Sequence, residues 1–327
     1  MRRGLREALN GFLDALGHGA CPTTTYVGLR GFSLKDMDTA DVGVGVLRRL
    51  TQEEVRSFVT EEDPQPVRDD ELCLVLTSEA TWSITDAPPK PAGGSASGVL
   101  PRLELFPALM LLAEGARNRR GQLRAPHVVW SRPSPYFFTG GTLSRGSNPD
   151  LLWRTSDFFD GILTPGVAEE ARSLLPSLTR APASAMRVVV HRLVSACLVY
   201  NKTDEDRLVD AAVAWQAMFG SQDRDQLALQ LALGIAWLLA PNDHNERERI
   251  FRRAKKVYTL RSKLVHGGAT KTPDVGEAAN DLIEWLRRAL LALITTHSPL
   301  LGASDRAQRV LLQNPGNLAP TYRAIIK

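Results

Sequence analysis

Arg261, Ser262 and His266 are the side chains of this sequence whose types and spacing suit phosphate chemistry. They lie in the stretch Lys255-Lys256-Val257-Tyr258-Thr259-Leu260-Arg261-Ser262-Lys263-Leu264-Val265-His266-Gly267-Gly268. A guanidinium can grip a phosphate with two parallel N–H donors and stabilise the charge that develops on it. An imidazole takes up and releases a proton near neutral pH. A neighbouring hydroxyl can orient either group.

Read as a helix, Ile250, Ala254, Val257, Leu264 and Val265 form an inward stripe at helical spacing. Arg261 falls on that stripe, where an aliphatic residue is expected. A charge on an inward line is costly unless something partners it. Tyr258, Ser262 and His266 follow one another at steps of four and share a neighbouring line. Two glycines then stop the helix. Five residues at about 100° each set Arg261 and His266 about 140° apart around a regular helix. A long side chain, or a distortion over 265–267, must close that gap if the two are to act together.

Four other helices would hold this one in place. Met186, Val189, Val190, Leu193 and Cys197 mark the first. Leu208, Ala212, Trp215 and Phe219 mark the second, with Asp204 or Asp206 as N-cap and Gly220 as C-cap. Leu227, Leu231, Ile235 and Leu238 mark the third, closed by Pro241. The Arg261 helix is the fourth, and Ala278, Leu282, Leu286, Ala289 and Leu293 mark the fifth. Short connections between helices of this length predict an antiparallel bundle. The tail after Ser298 holds room for one short helix.

The first half reads differently. Residues 1–16 carry leucines and Phe12 at helical spacing. Tyr26–Leu29, Val42–Val46 and Leu72–Leu76 read as strands. Leu103–Ala116 and 166–177 read as helices, Leu123–Trp130 as a strand, and 87–98 as a Pro/Gly/Ser linker. The expected fold class is therefore an α+β N-terminal region, 1–180, followed by an all-α bundle, 181–300, and a tail, 301–327.

The chain has 327 residues, 43% hydrophobic and 23% charged, with a formal charge of +4. That composition suits a water-soluble globular protein and leaves nucleic acid open as a partner. Three distant cysteines, Cys21, Cys73 and Cys197, give neither a disulfide framework nor metal spacing, so a reducing cytoplasm is expected. No signal peptide or membrane-spanning run is read, and no P-loop, nucleophile elbow or zinc pattern.

The bundle resembles the Apea-like branch of the HEPN superfamily (higher eukaryotes and prokaryotes nucleotide-binding), over about Met186 to Thr296. The resemblance rests on Asp206-Arg207-Leu208-Val209-Asp210 leading into Trp215–Phe219, on the apolar Leu231–Leu239 helix, and on Tyr258–Gly267. The superfamily motif is Arg, four to six residues, then His. Bare Arg-x4-His is weak: Arg120 and His127 also have an allowed spacing, though Pro126 argues against that pair. The surrounding Tyr-x-x-Arg-Ser-x-x-Val-His-Gly is far more specific. The resemblance implies a HEPN-type bundle, a homodimer in which two such helices face each other, and RNA as partner. It implies cleavage without a metal ion or cofactor, by attack of the RNA 2′-hydroxyl on the adjacent phosphate. Arg261, His266 and Ser262 would carry the reaction, with Lys263, Lys256, Arg253 and Tyr258 on the RNA.

Two readings of the motif stay open. In one, the protein is an endoribonuclease, a defence or toxin-like effector. An activator or antitoxin would then meet its N-terminal region. In the other, it is a non-catalytic RNA-binding or dimerisation module, Arg261 pairs with a carboxylate of another helix, and His266 caps the helix end. Gln216 stands where the family often has Glu, which leaves Asp206 and Asp210 as candidate partners of Arg261. The crowd of cations Arg249, Arg252, Arg253, Lys255, Lys256 and Lys263 is read as a solvated face or as a track for an RNA backbone.

Overall fold

A computed structural model describes residues 20–30, 32–52, 72–81, 105–113, 127–134, 161–180, 183–197, 203–219, 227–267, 272–301, 303 and 306–312. The chain divides into two compact units. One takes 1–119 and 126–173, the other 120–125 and 174–327. The expected helix over 1–16 and the linker over 87–98 lie outside the described residues.

In the first unit, β1 (Ala20–Arg30), β3 (Thr39–Asp41), β4 (Val46–Arg49), β5 (Leu72–Thr81) and β6 (His127–Ser134) form an antiparallel sheet in the order β3-β4-β5-β1-β6. Tyr26 faces Val75 across β1 and β5, and Leu74 faces Leu47 across β5 and β4. The β1–β6 register shifts between Gly28 and Leu29. β2 (Phe32–Leu34) pairs in parallel with β7 (Gly161–Leu163).

Of the alternation Val42-Gly43-Val44-Gly45-Val46, read as a strand, only Val46 is strand, opening β4, and 42–45 are instead the connection between β3 and β4. Gly43 has φ 82°, its N–H donates to Asp41 Oδ1 at 2.8 Å, and Val42 N–H donates to Gly45 O at 3.0 Å. Glycine supplies the positive φ, and Asp41 forms the side-chain turn. Val42 and Val44 are nonetheless buried, so their apolar spacing reports burial and not extension. The strand expected at 123–130 is described only from His127 and runs on to Ser134. Helix α1 covers 105–112, inside the expected 103–116. Phe106 and Leu109 to Leu112 are at most 1% exposed, the all-round burial of an interior helix.

Helix α2 (Pro165–Arg180) carries the boundary between the units, at Ser173/Leu174. Beyond it every described regular element is helical. These are α3 (Ala183–Cys197), α4 (Asp204–Phe219), α5 (Leu227–Leu239), α6 (His244–Val265), α7 (Thr272–Thr295), a 3-10 turn (Ser298–Leu300) and α8 (Arg306–Leu312). α4 packs on α3 and α7, and α5 packs on α6, α7 and α8. Trp215, Ile235, Ile250, Ala254, Leu282, Leu286 and Leu293 fill the core. The N-cap of α4 is Thr203, not Asp204 or Asp206. Its hydroxyl accepts from Asp206 N–H at 3.2 Å, and the Asp206 carboxylate accepts from Thr203 N–H at 3.2 Å. That reciprocal pair is a capping box. Gly220 lies outside the described residues.

Gly234 marks where α5 approaches α4 and α8 most tightly. A Cβ there would stand 2.8 Å from the Phe219 ring and 3.4 Å from Ala307 Cβ. Phe219 is 1% exposed and cannot turn away cheaply. Overpacking costs about 1–3 kcal/mol, against up to about 1 kcal/mol regained in helix propensity. Gly234→Ala is expected to lower unfolding stability by about 1–2 kcal/mol. A urea midpoint at or above the parent's would contradict this packing.

Candidate functional site

The site is built on α6. Asp243, in extended conformation, caps its start and accepts from Glu246 N–H at 3.0 Å. The inward line Arg247, Ile250, Ala254, Val257 is buried, as helical spacing requires. Burial then fades: Arg261 and Leu264 are half-buried, and Val265 is 49% exposed.

Arg247 and Arg261 sit two heptads apart on this same inward line, and their surroundings differ. The Arg247 guanidinium donates to Ala240 O at 2.9 Å and Pro241 O at 2.8 Å. It also lies 3.9 Å over the Trp237 ring. Those carbonyls close the end of α5, where a cation is favoured, so Arg247 is a structural arginine. The Arg261 Nε is shut off from solvent and has no hydrogen-bond partner. Its terminal nitrogens are not enclosed in that way. An enclosed N–H with no acceptor costs about 1–3 kcal/mol.

The non-catalytic reading expects a carboxylate partner for Arg261, and among the described residues there is none. Asp206 serves the capping box of α4. Asp210 is held by Arg192 Nη1 and Ser195 Oγ, each at 2.9 Å. Gln216 is half-buried and makes no side-chain hydrogen bond among the described residues. Arg207, in the Asp-Arg-Leu-Val-Asp stretch, is buried and ties three elements together. It donates to Ala196 O of α3 at 3.1 Å, to Asp204 at 2.8 Å and to Asn280 of α7 at 2.9 Å.

His266 is the C-cap residue of α6, with φ −95°, and is exposed. Its N–H still bonds Ser262 O at 3.2 Å, so helical register holds to this point. The chain turns off only at Gly267, whose φ of 74° a glycine adopts without strain. The break falls one residue past the imidazole. The expected distortion therefore does not draw His266 towards Arg261, and within one chain the two make no hydrogen bond. They remain about 140° apart, one on the inward line and one on the solvent side. Ser262 is half-buried between them on the helix surface.

The residues expected on RNA fall into two groups. Lys256 and Lys263 are exposed and meet no carboxylate among the described residues. Arg253 is engaged instead: Nε donates to Asp281 at 2.7 Å and Nη2 lies 3.7 Å from Glu277, which links α6 to α7. Tyr258 is also engaged, its ring edge-on to buried Trp215 at 6.4 Å and 75°. Helical periodicity could not separate these groups, because their partners lie on other helices. Around Arg253, an open cleft of about 400 Å³ is lined by Asn245, Glu248, Arg249, Arg252, Lys256 and Asp281. Sequence reading missed this cleft, although Asn245 is the neutral residue in an otherwise charged row. Among the described residues no three His, Cys, Asp or Glu side chains cluster as metal ligands. No helix among them is long and apolar enough to cross a membrane. His127 opens β6, and Arg120 lies outside the described residues.

Glu246 shows how the cations of α6 are held. Arg249 Nε and Nη2 each donate to its carboxylate at 2.7 Å. These bonds, helped by the charges of Arg249 and Arg288, hold the carboxyl below its usual range against the opposing effect of partial burial. A carboxylate lowered in the folded state stabilises above the unfolded value, and the gain fades as pH falls through the folded one. The side chain is 33% exposed, so the gain is small, about 0.3–0.5 kcal/mol. Glu246→Gln is therefore expected to lower the thermal midpoint slightly at pH 7. The two proteins should converge only as the pH falls below the lowered range of the folded carboxyl. A difference that widens in acid would contradict the pair.

Compared with models of protein families, with curated proteins and with solved structures, the chain matches none.

Proposed function

We propose that the chain is a metal-independent endoribonuclease of HEPN type. In this reading an α+β region, 1–180, senses a trigger, activator or antitoxin. A HEPN bundle, 181–300, is the effector, acting as a cytoplasmic homodimer in defence or a toxin-like system. The observation that carries it is the Nε of Arg261: enclosed, without an acceptor, on a guanidinium whose other nitrogens are not enclosed. A structural arginine on the same helix line, Arg247, has every mark of satisfaction that Arg261 lacks. An arginine kept half-buried at a cost is suited to an anion that arrives from outside, such as a phosphate.

The chemistry balances without a cofactor. The RNA 2′-oxygen attacks the adjacent phosphorus as an imidazole takes its proton. The P–O5′ bond breaks, and the leaving oxygen receives a proton from a second imidazole. The products are a 2′,3′-cyclic phosphate and a 5′-hydroxyl. Arg261 stabilises the charge on the non-bridging oxygens, and Ser262 orients the phosphate. His266 of one chain stands away from its own Arg261, so a second copy is needed to supply the missing imidazole.

That same separation favours the alternative, a non-catalytic RNA-binding and dimerisation module. Incubating the full-length protein and the Arg261→Ala/His266→Ala variant with mixed RNA in EDTA separates the two. Cleavage that the variant loses is expected. Equal RNA binding by both with no cleavage would establish the module instead.

A further inference from the structure

Over His244–Val265, α6 holds eight Lys and Arg against two Glu, a formal +6, where the whole chain carries +4. Of these eight cations, Arg247 and Arg261 lie on the inward line and Arg253 is bound to α7, while four others share one outer face. Taking about 100° per residue, Arg249, Arg252, Lys256 and Lys263 fall within about 60° of one another. They form a single row opposite the buried line of Ile250, Ala254 and Val257. Successive members one turn apart stand about 5–6 Å from each other. The side chains of Arg249 and Arg252 are 66% and 72% exposed. Their carboxylate partners, Glu246 and Glu248, are on the same helix at i−3 and i−4, and exposed pairs of that kind are worth only a few tenths of a kcal/mol in general. Lys256 and Lys263 have no such partner. His266 follows Lys263 by three residues, about 60° round, on the side of this row.

The geometry points to this row as a track for the backbone of single-stranded RNA, running from the α6–α7 cleft to the imidazole at the helix end. This inference deepens the ribonuclease reading and rests on it for the identity of the polyanion. A phosphate can displace Glu246 or Glu248 from its arginine at little cost, so the intrahelical pairs keep the row ordered when empty. The row is straight and about 21 Å long from Arg249 to Lys263, with exposed Lys255 about 60° outside its edge on the His266 side. That shape follows one strand. A duplex is gripped across successive grooves and needs separated patches. Arg253 and Tyr258 contribute nothing to the track: one is spent on α7 and the other on Trp215.

The test measures binding of a labelled oligouridylate as a function of salt, in full-length protein carrying His266→Ala so that cleavage does not interfere. Each phosphate contact on a single strand contributes about 0.7 to the slope of log affinity against log salt. Adding Lys256→Gln/Lys263→Gln is expected to lower that slope by about 1.4, and affinity at 0.1 M salt by about 25-fold. A charge-matched control, Lys35→Gln/Arg49→Gln, is expected to change neither. An unchanged slope in the α6 variant, or an equal loss in the control, would overturn the track. A duplex RNA bound as tightly, with the same loss, would overturn the single-strand assignment. Absence of cleavage by the parent, with the slope change intact, would remove the nuclease reading and leave the track standing.

Discussion

Arg261→Met is expected to slow RNA cleavage by about 10²–10³ while leaving the fold as stable as the parent's, or slightly more stable. The two halves of this outcome come from the same guanidinium, the stability half from its enclosed Nε and the catalytic half from its open terminal nitrogens. Nε is enclosed and has no acceptor, so the native state bears a desolvation cost of about 1–3 kcal/mol that methionine does not bear. Methionine keeps the aliphatic stem that continues the line of Val257. On the catalytic side, removing a donor that stabilises transition-state charge typically costs about 10²–10³ in rate. His266→Ala is expected to cost about 10²–10⁴, as for loss of a general acid or base. Being exposed at a C-cap, His266 should leave the thermal midpoint nearly unchanged. Single-turnover cleavage and a thermal melt on each variant are the measurements. If Arg261→Met melts many degrees lower, the guanidinium has a structural partner and is not poised for a ligand. If cleavage survives either substitution at the parent's rate, the motif is not the site.

Arg306→Met is expected to have the largest effect on stability. Arg306 is 3% exposed and donates to Leu300 O at 2.7 Å, to Leu301 O at 2.8 Å and to Met218 O. One side chain thus closes the 3-10 turn, the start of α8 and the end of α4. Burial lowers the pKa of the group from the ordinary arginine value, the mark of a charge held by dipoles and not by a carboxylate. Removing it strands buried carbonyls, and charge-assisted bonds are the stronger kind. A loss of about 3 kcal/mol is expected, which for a helical unit of this size is roughly a 6–12 °C fall in midpoint. A fall under a couple of degrees would mean that α8 is peripheral. RNA cleavage measured well below the melt should persist, because Arg306 is on other elements than α6.

The two arginines also show what the sequence determined by itself. Helical periodicity alone placed the five helices between Met186 and Thr296 and set Trp215 and Arg261 on inward lines. All of that follows from residues three and four apart sharing a face, a property of one helix. The same local rule failed at 42–45, where burial of a turn imitates the alternation of a strand. It also missed Thr203 as a cap, because Asp204 and Asp206 are equally good capping types.

Only the tertiary structure decided which charges are satisfied. Arg207, Arg247, Arg253, Arg261 and Arg306 are alike in the sequence. Four of them find carbonyls, carboxylates or a ring on other segments, at separations of 5 to 88 residues, and the Nε of Arg261 finds nothing among the described residues. Whether a buried guanidinium holds a fold together or waits for a phosphate depends on what packing brings opposite it. No spacing along a single helix contains that information.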